Sequence, residues 1–148
     1  MLSTKRAGKK TSTLPEEFSV MLTGTLYVSV ISASGIKACD PTGFSDPYCI
    51  IRVGKENKLE KVARTATMIQ TLSPVWQETF KIHIKNATTL GIKCKDWDRF
   101  SQDDTCGDVY LDLMLHFSQE RKTEKPFTLP FDTQGSIEIY VKFEPIDK

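Results

Sequence analysis

The sequence of 148 residues contains no apolar run that approaches the roughly 18 residues a membrane-spanning helix needs. Its 7 prolines and 8 glycines form no periodic tract, which excludes a collagen. No stretch of useful length has a helical hydrophobic period, apart from a single turn expected near His116 to Arg121, so coiled coils are excluded too. The four cysteines, Cys39, Cys49, Cys94 and Cys106, show no Cys-x-x-Cys spacing, which argues against zinc and leaves free thiols in an intracellular protein as the expectation. Only two histidines occur, His83 and His116, each without an adjacent nucleophile. There is no Walker-type glycine-rich cradle and no nucleophile elbow, so catalysis is not expected. Base-reading and stacking elements are also missing, and nucleic acid is not an expected partner. The basic start, Met1 to Lys10, has no apolar segment behind it and does not read as a secretory signal. Leu2 excludes N-myristoylation.

A net charge of +1 conceals a strong segregation. Asp40, Asp46, Asp96, Asp98, Asp103 and Asp104 fall in two short stretches. With these six set aside, 13 acids face 20 Lys and Arg, so a basic body carries two acidic loops.

Residues 1–17 hold Lys5, Arg6, Lys9 and Lys10 among polar residues and read as a flexible basic tail, with one domain over 18–148 and its core at about 23–145. From Phe18 onward the hydrophobic period is two. Leu26, Val28 and Val30 alternate with Tyr27, Ser29 and Ile31; Phe80, Ile82 and Ile84 alternate with Lys81, His83 and Lys85. Further strands are expected at Tyr48 to Val53, Val62 to Met68, Leu90 to Cys94, Val109 to Leu115, Phe127 to Leu129 and Ile137 to Phe143. Turn chemistry such as Asp40-Pro41-Thr42-Gly43 and Ser73-Pro74 separates them. Eight short strands predict an all-β antiparallel sandwich or barrel. Trp76 is expected in the core, and Trp97 packed within its loop.

The two acidic loops each follow an odd-numbered strand, so an up-and-down count puts both at one end. Asp96 and Asp98, two apart in extended chain, are expected to point to the same side. Carboxylates about 5 Å apart repel by roughly 3 kcal/mol per pair at an effective dielectric near 20. A hard dication removes that cost. Calcium accepts six to eight oxygens in irregular geometry, whereas magnesium demands a tight octahedron and retains its waters.

Four segments carry a family resemblance: Gly24-Thr-Leu-Tyr-Val, Asp40-x-x-Gly43-x-Ser45-Asp46-Pro47-Tyr48, Ser73-Pro74-x-Trp76-x-Glu78-x-Phe80, and Asp96-x-Asp98-Arg99-Phe100-Ser101-x-x-Asp104-x-x-Gly107. In this order they resemble a C2 domain, the calcium- and phospholipid-binding β-sandwich, over roughly Thr23 to Pro145. The order resembles the permuted type II topology, with Phe18 to Met21 as an extension. The resemblance implies calcium as cofactor, ligated by Asp40, Asp46, Asp96, Asp98 and Asp104, with Ser101 and the carbonyls of Cys39 and Trp97 as further ligands. Asp103 has no counterpart, and Cys106 replaces the usual apolar residue as a small packing thiol. Calcium would cancel the acidic end and allow docking on anionic phospholipids, phosphatidylserine or phosphoinositides, with Phe44 and Phe100 at the loop tips and Arg99 meeting a phosphate. A cationic face of Lys61, Arg64, Lys81, Lys85, Lys93 and Lys95 is a second expected phosphoinositide site. The picture is a cytoplasmic module of signalling or trafficking, recruited to membranes as calcium rises. The alternative is a calcium-independent adaptor that binds proteins or phosphoinositides through its basic face.

Overall fold

The computed structural model describes residues 21–146. The expected basic tail lies outside them, as does the extension from Phe18 apart from Met21. Eight strands follow one another: β1 (Leu22–Ser34), β2 (Pro47–Lys55), β3 (Lys58–Arg64), β4 (Val75–Ala87), β5 (Thr89–Asp96), β6 (Asp104–Asp112), β7 (Thr123–Pro130) and β8 (Ser136–Pro145). They form two four-stranded antiparallel sheets with orders β4-β1-β8-β7 and β3-β2-β5-β6. The final strand inserts between β1 and β7, as the type II order requires.

Side-chain alternation builds the layers. Leu26 lies opposite Ile82 on one side and Phe143 on the other, and Val28 lies opposite Val141. These residues share the inner face of the first sheet and pack against Cys49, Ile51, Leu90, Ile92 and Cys94 from the second. Trp76 is buried, and its indole N–H donates to the Ala66 carbonyl at 3.0 Å.

Four strand boundaries depart from the expected ones, for identifiable reasons. The third strand runs over Lys58–Arg64 rather than Val62 to Met68. It is an edge strand with β2 as its sheet partner, so charge rather than apolar alternation marks it. β4 begins at Val75, five residues before Phe80, because Gln77 takes a left-handed φ of 52° at a register shift and interrupts the alternation. β6 begins at Asp104 and ends at Asp112, whose carboxylate accepts the Met114 N–H at 3.0 Å and starts a 3-10 turn over Leu113–Leu115. β7 extends back to Thr123, with Pro126 tolerated on an edge strand.

The β1–β2, β3–β4 and β5–β6 connections meet at one pole. Gln70 donates its N–H to Asp46 Oδ1, and the Thr71 N–H reaches the Ser45 carbonyl at 2.8 Å. Below that pole Gly107 passes under Phe131, where a Cβ would lie 2.8 Å from the Phe131 Cβ. Gly107→Ala is expected to cost about 1–3 kcal/mol by overpacking. Urea unfolding with an unchanged midpoint would contradict this.

Candidate metal centre and loop pole

Three carboxylates converge where the loops meet. Oxygens of Asp40, Asp46 and Asp96 all lie within 4.8 Å of one another. Each is held by N–H donors of the local backbone. Asp40 Oδ1 accepts the N–H groups of Thr42 and Phe44, both at 3.1 Å, and the Thr42 hydroxyl at 2.5 Å. Asp46 Oδ1 accepts the Gln70 N–H at 2.6 Å. Asp96 Oδ1 accepts the Asp46 N–H at 2.7 Å, and the Trp97 N–H returns to the Asp46 carbonyl at 3.0 Å. Each Oδ1 is thus spent on fixing a loop. No Lys or Arg ion-pairs with any of the three among the described residues.

The electrostatics follow from that geometry. Asp96 is buried at the end of β5. Burial, then the charges of Asp40, Asp46 and Asp104, push its carboxyl above the usual range against the pull of the Asp46 N–H. Asp40 is held low, first by the Thr42 hydroxyl and then by the Phe44 N–H. Asp104 stands opposite Asp96 in the β5–β6 register.

Asp98 differs from expectation. Its Oδ1 accepts the Phe100 N–H and its Oδ2 the Ser101 hydroxyl, both at 2.8 Å, and it is not among the three carboxylates that lie within 4.8 Å of one another. The N–H of Phe100, then the Ser101 hydroxyl, hold its carboxyl low. Strand β5 ends at Asp96, so the two-residue rule, which needs a continuing strand, does not fix the side on which Asp98 lies. Ser101 is correspondingly bound to Asp98. The backbone N–H of Cys39 is fixed by the buried Ser45 hydroxyl at 3.1 Å.

Asp103 acquires a role that the sequence did not reveal. It accepts the hydroxyl of buried Tyr48 and, at 2.9 Å, the Asp98 N–H. Burial pushes its carboxyl up, but these two hydrogen bonds outweigh it and hold it low. The Arg64 guanidinium lies 3.6 Å over the Tyr48 ring.

Several apolar side chains stand exposed on the loops: Phe44 at 45%, Trp97 at 41% and Phe100 at 90%, with Arg99 over the Phe100 ring at 5.8 Å. Trp97 is therefore more open than its expected packing. Ile69, 65% exposed on the β3–β4 connection, is a further member, hidden from sequence reasoning because Val62 to Met68 reads as strand. An isoleucine just beyond a strand end, between Met68 and Gln70, is the available signal.

The six-residue cationic face does not assemble as expected. Arg64 pairs with Ile50, which pairs with Lys93, and Lys95 pairs with Tyr48, while Lys61 pairs with Arg52, all on the outer face of the β3-β2-β5-β6 sheet. Lys81 and Lys85 belong to β4, in the other sheet, so they leave this group. Sequence neighbours β3 and β4 are separated because the chain crosses between sheets. Asp108 also tempers the remaining face, 2.9 Å from Arg52 and 3.8 Å from Lys93.

The family model described as "C2 domain" matches residues 24–129 of the chain. The chain belongs to the C2 domain family. Among curated relatives, this C2 domain is 36% identical to tricalbin-3 of Saccharomyces cerevisiae over 136 residues, 89% of the chain and 8% of that protein. It is 32% identical to human multiple C2 and transmembrane domain-containing protein 1 over 128 residues, 83% of the chain and 12% of that protein. The chain thus spans only a small part of the length of such relatives. Among solved structures, a C2 domain of plant extended synaptotagmin 1 superposes with a TM-score of 0.69 at 21% identity, covering 86% of this chain and 98% of that one. The calcium-bound pair of C2 domains from extended synaptotagmin 2 gives 0.63 at 27% identity, covering 84% of this chain and 46% of that one. No helix among the described residues is long and apolar enough to cross a membrane.

Opposite pH effects follow for Asp96 and Asp103. A raised carboxyl makes the ionised folded state less stable, so falling pH relieves Asp96 as it passes through its folded value. Asp96→Asn, which retains the Oδ1 acceptor, is expected to raise cation-free stability at about pH 7 by roughly 1 kcal/mol. That gain should vanish as acid protonates the parent's Asp96. The contribution of Asp103 is present above the ordinary value of about 3.9 and is lost as pH falls through its lower folded value. Asp103→Ala should cost about 1–3 kcal/mol at neutral pH by stranding the Tyr48 hydroxyl. Denaturant melts across pH check both signs, and a destabilised Asp96→Asn would contradict the repulsion argument.

Proposed function

We propose that this C2 domain binds calcium at the loop pole and thereby docks on anionic phospholipid membranes. The observation that carries the reading is the convergence of Asp40, Asp46 and Asp96 without a neutralising side chain. Hard oxygen donors on irregular loops suit calcium. Asp40, Asp46 and Asp96 would hold the ion, with Asp104 and Asp98 from the third loop, the carbonyls of Cys39 and Trp97, and Ser101 completing the donor set. Calcium supplies compensating charge at that pole. A structural relative with calcium bound, extended synaptotagmin 2, supports this assignment.

Neutralisation leaves the field of the basic body dominant, and an anionic leaflet attracts each nearby Lys or Arg by about 1 kcal/mol. Exposed Phe44 and Phe100 then enter the interface, each contributing up to roughly 1.5–3 kcal/mol if fully buried. Arg99 meets a lipid phosphate. The lipids are phosphatidylserine, phosphoinositides or both. Lys61, Arg64, Lys93 and Lys95 form the face available to a phosphoinositide, with Arg64 stacked on Tyr48. The domain serves as a peripheral membrane-targeting module in signalling or trafficking and as a binder rather than a catalyst.

Vesicle co-sedimentation tests the reading. Calcium should recruit the protein to phosphatidylserine-containing vesicles, and Asp96→Asn should abolish recruitment while the fold persists. Equal binding in excess chelator would instead favour the calcium-independent adaptor or phosphoinositide binder. Phe100→Ala should weaken vesicle binding by about tenfold, the equivalent of roughly 1.4 kcal/mol, with calcium affinity in solution unchanged. Parallel loss of both in calorimetry would contradict insertion of that tip.

A further inference from the structure

A sulfur from the first loop meets one from strand β6 close to the carboxylate cluster. Cys39 Sγ lies 3.3 Å from Cys106 Sγ, across 67 positions of sequence. Cys39 immediately precedes Asp40 in the first loop, and Cys106 follows Asp104 by two residues in β6. Ser45, whose hydroxyl anchors the Cys39 N–H, is also 3.9 Å from the Cys106 sulfur. All four cysteines are free. Cys49 and Cys94 face each other across β2 and β5 and are fully enclosed, Cys94 also touching Cys106, whereas Cys39 is only half-buried. A disulfide holds its sulfurs at about 2.05 Å, so this pair needs only a small further approach to bond. Burial pushes the Cys39 thiol up to about 12, which slows its attack on a small disulfide, but Cys39 is the less enclosed member and reacts first, with Cys106 positioned to resolve the product.

We propose that Cys39 and Cys106 are a modification site, forming a reversible disulfide that cross-links the first loop to the third. The oxidant is a low-molecular-weight disulfide of the glutathione class. Cys39 loses its proton and its sulfur attacks one sulfur of the reagent, whose S–S bond breaks to release one small thiol. Cys106 then loses its proton and attacks the Cys39 sulfur of the mixed disulfide, expelling the second small thiol. Two protein thiols are oxidised, one external disulfide is reduced to two thiols, and the two protons leave with those thiols. The product ties the backbone beside Asp40 to the strand that follows Asp104. It restrains both loops whether or not a cation is present.

The test uses the full chain incubated with excess oxidised glutathione at about pH 8, where thiolate exchange is faster. Intact mass should show loss of two hydrogens with no retained glutathione, and peptide mapping should join Cys39 to Cys106. Added dithiol should reverse it. Cys39→Ser should abolish the two-hydrogen loss, and Cys106→Ala should stop at a glutathione adduct on Cys39. Should Cys106→Ala fail to fold, the half-exposed Cys39→Ser and the parent's peptide map still decide the matter. A stable Cys39 adduct in the parent, or a bridge through Cys49 or Cys94, would overturn the assignment. Hydrogen exchange of the Thr42 and Phe44 amides should slow by about tenfold in the oxidised form. Unchanged exchange would overturn the claim that the link restrains the loop. These readouts use neither calcium nor lipid, so they stand or fall separately from the membrane-docking function.

Discussion

Three like charges held within 4.8 Å of one another must be restrained by something other than their own attraction, and here the restraint is a set of backbone N–H groups. At that spacing each ionised pair repels by roughly 3 kcal/mol at an effective dielectric near 20. Asp46 donates its N–H to Asp96, Gln70 donates to Asp46, and the turn after Asp40 folds over that carboxylate. The three loops are thereby joined through the acids that oppose their approach. A domain arranged this way stores unfavourable charge at one pole, and under the proposed function a dication would offset it, which connects local hydrogen bonding to the proposed switch.

The sandwich provides the rigidity for that arrangement. Leu26, Val28, Val30 and Phe143 on one sheet, facing Cys49, Ile51 and Ile92 on the other, hold the strand ends that launch the loops. Gly107 keeps β6 close to Phe131 just beyond the third loop. The exposed side chains of the loops include the apolar Phe44, Ile69 and Phe100 alongside polar neighbours such as Thr42, Arg99 and Gln102. An acidic centre ringed by apolar tips has no favourable partner in water alone. Under the proposed function, neutralisation by a cation would change the balance, because charge would no longer oppose contact between the tips and an anionic interface.

Asp103 and Asp98 show how acids in one loop divide their work. Asp103 holds Tyr48 beneath Arg64 and fixes the Asp98 N–H, while Asp98 organises the turn carrying Phe100 and Ser101. The loop tip and the basic face are therefore mechanically joined through a single carboxylate. Beneath them the paired sulfurs of Cys39 and Cys106 offer a covalent route to the same restraint.

Period-two alternation, with β-branched runs and turn residues between them, determined an all-β chain of eight strands, a sandwich or a barrel, because burial on one face selects every second side chain. It also determined that the two acidic stretches share a pole, since that depends only on counting antiparallel strands. Edge strand β3 escaped the same logic: most of its positions are solvated, and its apolar Leu59, Val62 and Ala63 do not alternate. Local spacing could not decide where Asp98 points, because its carboxylate answers to N–H donors in its own turn rather than to strand geometry. Nor could it decide which cations share a face, since Lys81 and Lys85 were separated from Lys93 and Lys95 by a crossover between sheets. The meeting of Cys39 with Cys106 across 67 positions has no local signature at all. Side-chain period belongs to the chain, whereas the partner that satisfies a carboxylate or approaches a thiol is supplied by segments that only folding brings near.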